Sequence, residues 1–142
     1  MSEIRNMLEK EGVSLTPQRL AIIQFLEGNR NHPTVDEIYS HVKSSYPTIS
    51  KATVYSTLKL LCELGAVQEL SIRKRGEACF DPQTHTHHHF LCRKCNRVID
   101  IKVDLYDRSD IIKAIGFYGH RVENVHSYFY GVCSDCIQSK SN

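Results

Sequence analysis

Cys92-Arg93-Lys94-Cys95 and Cys133-Ser134-Asp135-Cys136 repeat one spacing in the last third of the chain. Thiolates three residues apart can grip one tetrahedral Zn2+ at about 2.3 Å, and two such pairs close a four-sulfur shell with no open position. The 37 residues between them, 96–132, exceed the spacer of a common zinc ribbon, so the site must join two distant elements of one small domain. The chemistry expected there is structural. A thioredoxin-like dithiol would need the pairs to open helices after βα turns, and disulfides are disfavoured in a reducing compartment. Cys62 and Cys79 lie in apolar surroundings and are expected to be small buried hydrophobes.

A second cluster, from Asp81-Pro82 through His85, His87, His88 and His89, runs into Phe90-Leu91-Cys92, which reads as a strand. Strand alternation puts His87 and His89 on one face and His88 on the other. With Asp81 and Asp100 nearby, the two imidazoles make a mixed nitrogen and oxygen set suited to Fe2+, Mn2+ or Zn2+. Unlike four thiolates, such a set can exchange its metal. The competing reading is a solvated strand. His32, just before Pro33, reads from the residues alone as a surface or capping group. A zinc hydrolase or deaminase built on the cluster lacks support: there is no H-E-x-x-H, no H-x-E paired with P-C-x-x-C, and no general base beyond the ligands themselves.

The elements that must position these groups begin with a short helix from Ser2 to Glu11, ended by Gly12. Thr16-Pro17 opens a second helix, with a hydroxyl at the cap and proline at the first helical position, and Leu20, Ile22, Ile23, Phe25 and Leu26 carry it to Gly28. Thr34 and Glu37 form a capping-box pattern for a third helix through about Val42, before Tyr46-Pro47. Ser50 caps a fourth, running to about Leu64 with Val54, Leu58 and Leu61 on one face and Lys51, Tyr55, Ser56 and Lys59 on the other. Two short strands follow, Val67–Ile72 and Ala78–Asp81, around a turn at Arg73-Lys74-Arg75-Gly76.

Three core helices and a basic-tipped hairpin predict an N-terminal winged helix-turn-helix in an α+β chain. In that arrangement the fourth helix enters the major groove. Tyr55 can press on thymine methyls, while Arg19, Ser50, Lys51 and Lys59 can hold phosphates, with Arg73 and Arg75 on the wing. A solvated helix face with one amphipathic tyrosine remains the alternative.

The chain has 142 residues, 41% hydrophobic and 24% charged, which excludes disorder, collagen-like repeats and low complexity. Its net charge is only +2, and residues 1–81 hold ten basic and ten acidic side chains. DNA contact must therefore come from local geometry and not from a basic tail. Glu3, Arg5, Glu9, Lys10 and Glu11 occupy the start, no signal-like apolar segment or run of about 18 apolar residues is visible, and a cytoplasmic protein off the membrane is expected.

In order and approximate spacing, Thr16-Pro17-Gln18-Arg19, His32-Pro33-Thr34 with Glu37-Ile38-Tyr39, Ala52-Thr53-Val54-Tyr55, the His-x-His strand and both C-x-x-C pairs resemble the ferric uptake regulator (Fur) superfamily over nearly the whole chain. The resemblance implies a homodimeric winged-helix repressor of double-stranded palindromic operators, not an enzyme. It implies a DNA-binding domain over 1–81, a hinge over 82–86 and an αβ dimerisation and metal-binding domain over 87–142. It also implies a structural Zn2+ on Cys92, Cys95, Cys133 and Cys136, and a regulatory Fe2+ or Mn2+ on His32, Asp81, His87, His89 and Asp100.

Aspartate at position 81, eleven residues before Cys92, is similar to the peroxide-sensing (PerR) branch, where iron-sensing members generally carry glutamate. That likeness implies oxidation of a ligand imidazole at His32 or His87. Ser56 departs from the branch, which tends to have asparagine there, and the helix around 109–115 reads as short. A further metal on His88, Asp107 and His126 is an option that some members use, although Thr86 stands where such sites often have histidine, and placement at the surface is the favoured reading. A sensor of iron or zinc availability in the same superfamily is the alternative function.

Overall fold

The protein is described by a computed structural model over residues 3–29, 31–73, 77–82, 88–102, 108–123, 125 and 127–139. The chain divides into two compact units, Met1–His85 and Thr86–Asn142. The division falls inside the segment read as a hinge.

The first unit runs α1 (Glu3–Lys10), α2 (Pro17–Gly28), α3 (Val35–Ser45), α4 (Lys51–Glu63), β1 (Gln68–Leu70) and β2 (Cys79–Asp81). Helix starts are set by side-chain caps. The backbone N–H groups of Arg19, Glu37 and Thr53 donate to the hydroxyls of Thr16 (3.2 Å), Thr34 (3.2 Å) and Ser50 (3.1 Å). Each satisfies a donor that the first helical turn leaves without an intrahelical partner. Gly65 takes φ +72° at the end of α4, a left-handed turn where a Cβ is costly. Helix α3 continues one turn beyond the expected end at Val42: Tyr46 N–H still donates to the Val42 carbonyl at 2.9 Å. Nothing in Lys43–Ser45 opposes helix, and the stop comes only at Tyr46, which the following Pro47 pushes out of helical geometry.

The core of this unit joins Ile4 and Leu8 of α1, Ile22, Ile23 and Leu26 of α2, Ile38 and Val42 of α3, and Val54, Leu58 and Leu61 of α4. Val67 and Phe80 close it from the hairpin side. β1 and β2 pair antiparallel, Leu70 opposite Cys79 and Gln68 opposite Asp81, and are shorter than the expected strands. Helices followed by this hairpin make a winged helix-turn-helix. The turn residues 74–76 lie outside the described residues, so Arg75 does too.

The second unit centres on β3 (His88–Cys92), flanked by β4 (Val98–Ile101), antiparallel, and β5 (Tyr128–Gly131), parallel. Two helices, α5 (Arg108–Gly116) and α6 (Ser134–Ser139), complete it. Its buried apolar side chains among the described residues are few: Leu91, Cys92, Val98 and Cys133. Two of these four are thiols, so the unit needs a staple that a hydrophobic core of this size does not supply. Among the described residues, no helix is long and apolar enough to cross a membrane.

Candidate metal centres and nucleic-acid interface

Cys92 ends β3, Cys95 lies in the tight turn behind it, Cys133 precedes α6 and Cys136 lies within α6, so the second pair does open a helix after a strand, against the sequence expectation; what argues against a dithiol is the convergence of all four sulfurs. The turn closes through Asn96 N–H donating to the Cys92 carbonyl at 2.8 Å, with Asn96 itself at φ +63°. Asparagine tolerates that left-handed position. The four sulfurs converge, Cys92 to Cys136 at 3.8 Å and Cys95 to Cys133 at 3.8 Å. Four sulfurs held about 2.3 Å from one tetrahedral ion stand about 3.8 Å apart, whereas a disulfide needs about 2.05 Å.

Electrostatics agrees with that geometry. The N–H groups of Cys95 and Cys133 donate to the Cys92 sulfur at 3.4 and 3.3 Å and pull its pKa down to about 6. The Cys133 sulfur, burial and the remaining two thiols push Cys136 up to about 12. Four adjacent thiolates need a cation, and a thiophilic divalent ion fits this cage. Arg97 reaches Asp135 at 3.2 Å across the two halves of the cage. Cys62 and Cys79 stand apart from it. Cys79 is buried and Cys62 half-buried, and burial raises both pKa values.

The first unit carries one nitrogen and oxygen pair. Thr34 bridges Cys79 antiparallel, and Phe80 N–H donates to the Pro33 carbonyl at 3.0 Å, so the segment before α3 lies along β2 as a short third strand. Proline fits there because it accepts and has no N–H to donate. That register sets His32 opposite Asp81, with Nε2 3.3 Å from Oδ2 and both side chains buried. His32 is thus not the surface or capping group that its residue type suggested. Its φ of +55° is left-handed, a strain of order 1–3 kcal/mol found where a side chain is held for function.

The second unit carries another such pair. His89 and Asp100 face each other across β3 and β4, Nε2 to Oδ1 at 3.5 Å. Two ligand atoms about 2.1 Å from one ion at a tetrahedral angle are about 3.4 Å apart. Both pairs have that separation, and both are made of the imidazole and carboxylate donors that suit iron, manganese or zinc. His88 is buried on the same strand and not at the surface as expected, its ring packed edge-on to Phe129 with centroids 6.0 Å apart. His87, Asp107 and His126 lie outside the described residues.

On α4, Val54, Thr57, Leu58 and Leu61 are buried, and Tyr55 stands 60% exposed on the opposite face. Lys51, Ser56 and Lys59 are exposed with it. Ser50 spends its hydroxyl on the cap, and Ser56 donates its own to the Thr53 carbonyl at 3.1 Å. Arg19 donates to the Ser14 carbonyl at 2.9 Å. Lys51 is engaged by Asp36 at 2.9 Å, a contact the sequence reading missed because it joins two helix starts that are distant in the chain.

A model of the family described as the ferric uptake regulator family matches residues 10–129. The chain belongs to the ferric uptake regulator family. The peroxide-responsive repressor PerR of Staphylococcus epidermidis is 36% identical over 131 residues, 91% of this chain and 85% of that protein. The solved Campylobacter jejuni peroxide stress regulator is 31% identical with a TM-score of 0.69, covering 95% of this chain and 100% of that one. The Vibrio cholerae ferric uptake regulator is 27% identical with a TM-score of 0.71, covering 90% of this chain and 98% of that one. In this family setting the fold is a DNA-binding winged helix followed by an αβ dimerisation domain.

Proposed function

We propose that this protein is a cytoplasmic, metal-dependent DNA-binding repressor that senses hydrogen peroxide. The observation that carries the reading is the pairing of His32 with Asp81 and of His89 with Asp100, exchangeable nitrogen and oxygen donors distinct in chemistry from the thiolate cage. Relatives named as peroxide-responsive repressors support the peroxide branch.

In this reading Cys92, Cys95, Cys133 and Cys136 hold a structural Zn2+, and His32, Asp81, His87, His89 and Asp100 hold one regulatory Fe2+ or Mn2+. His32 and Asp81 come from the DNA-binding unit, His87 and His89 from the start of the dimerisation unit. Filling the set therefore fixes two winged helices of a homodimer at the spacing of successive major grooves of a palindromic operator. Tyr55 reads bases, and Arg19, Ser50, Lys51, Ser56 and Lys59 contact the backbone or base edges. Fe2+ held there would catalyse the reduction of peroxide. Overall the ligand imidazole is the two-electron reductant and peroxide the oxidant: one peroxide oxygen ends on the C2 carbon of His32 or His87, the other leaves as water, and the altered ring no longer serves as a ligand. A further metal on His88, Asp107 and His126 rests on the family resemblance alone.

The Fe2+-loaded protein treated with peroxide should gain one oxygen on His32 or His87 in peptide mass spectra and leave the operator. The Mn2+-loaded protein should stay bound. Release of the Mn2+ form as readily as the Fe2+ form would sink the peroxide reading and leave a sensor of metal availability. Oxidation confined to the four zinc-site cysteines would indicate a thiol sensor.

A further inference from the structure

Two lysines flank one aromatic ring on the DNA-binding unit. The Lys51 ammonium, in the first turn of α4, lies 5.6 Å from the centroid of Tyr39, and the Lys43 ammonium lies 5.3 Å from the same centroid. Tyr39 and Lys43 are one helical turn apart on α3, so one ring has an ammonium from each of two helices set against it. Asp36, in the first turn of the same helix, reaches Lys51 at 2.9 Å. The Lys51 and Asp36 side chains are 55% and 77% exposed, and pairs so exposed add about 0–1 kcal/mol to a fold. The contact matters more for what Lys51 can bind than for stability.

We propose that Lys43 and Lys51, both set against Tyr39, contact the DNA backbone, and that Asp36 is a built-in competitor that the phosphate must displace from Lys51. This rests on the reading of α4 as the helix that enters DNA. Residues 1–81 are balanced at ten basic and ten acidic groups, and on α4 itself the cations are Lys51 and Lys59. With so few cations, one partly neutralised ammonium is a large share of the unassisted attraction to DNA. A lysine already paired also releases less counterion when phosphate arrives, which flattens the salt dependence. Asp36 thus lowers affinity for any duplex and leaves operator occupancy to base contacts and to the dimer.

The test is fluorescence anisotropy of a labelled random-sequence duplex of about 30 base pairs with the full-length, Zn2+- and Mn2+-loaded protein, from roughly 50 to 200 mM salt. Asp36→Asn should tighten binding about three- to tenfold and steepen the log–log salt slope by up to about 0.9. Lys43→Ala should weaken binding and flatten the slope by a similar amount. In a Lys51→Ala background the Asp36→Asn gain should largely vanish, which separates competition for Lys51 from the mere loss of a nearby negative charge. An equal gain in that background, or no gain or weaker binding from Asp36→Asn alone, overturns the inference while wild-type DNA binding stands. A wild-type protein that binds neither this duplex nor any selected one overturns the DNA-binding reading, and the inference with it.

Discussion

Cys79 is fully buried on β2, its thiol directed to the Leu70 carbonyl at 3.8 Å, and burial pushes its pKa from 9.0 up to about 11. The unfolded thiol ionises near 9 while the folded one resists until about 11, so the folded state binds more protons in that window. Stability is therefore full below pH 9 and falls as the pH rises toward 11. Urea midpoints of the zinc-loaded protein should decline over this range, and Cys79→Ala should make the decline shallower. An unchanged slope would mean that burial of Cys79 is not what sets it. A second residue-scale prediction concerns Asp81, opposite His32. Asp81→Ala should weaken Mn2+ binding, read by titration calorimetry, by at least the tenfold to hundredfold that even indirect ligand support is worth. The convergence of the four spaced cysteines and the burial of Cys79 were legible in the sequence because spacing and apolar neighbours are local features, whereas Cys62, expected to be buried, is only half-buried. The burial of His32 was not, since it depends on Pro33 and Thr34 pairing with β2 some forty-five positions later.

Helix α4 has one buried face and one exposed face. Ser50 caps it and Leu58 is buried beneath it, while Tyr55 projects away. Ser50→Ala should cost about 1 kcal/mol and Leu58→Ala about 2–5 kcal/mol in denaturant unfolding. Tyr55→Ala should change stability by no more than about 0.5 kcal/mol yet weaken operator binding, seen by anisotropy with circular dichroism as the folding control. Loss of stability in Tyr55→Ala would instead place the ring in the fold. Helix starts were readable because a hydroxyl at the cap and the amide it satisfies are three residues apart. Strand lengths and the end of α3 were less so: no residue in Lys43–Ser45 carries a stop signal, and the wing strands pair over only three residues each. Contacts between helix starts, such as Asp36 with Lys51, have no sequence periodicity to betray them.

At the scale of the whole molecule, exposed apolar surface is distributed unevenly. Among the described residues, the large exposed hydrophobics other than Tyr55 all fall in Thr86–Asn142: Ile112, Ile115, Phe117, Tyr118, Phe129, Tyr130, Val132 and Ile137. Phe117 is 96% exposed and Tyr118 81%, a degree of exposure that a monomer has little reason to maintain. The same unit has the thin core and the thiolate cage, so zinc, folding and self-association should fail in sequence. Ile112→Asp combined with Phe117→Asp places charge on α5 and just beyond it without touching a cysteine or a His–Asp pair. The double variant should keep its zinc and its circular dichroism spectrum and sediment as a monomer. Operator affinity should then fall steeply, because each winged helix binds its half-site alone and loses the effective concentration that a partner supplies. A variant that still sediments as a dimer would put self-association on another surface. Monomers with wild-type operator affinity would show that half-site pairing does not set the strength of binding. Stripping zinc with a strong chelator should dissociate the wild-type dimer as well, but with loss of structure. Retained zinc in the double variant distinguishes a broken interface from a collapsed unit.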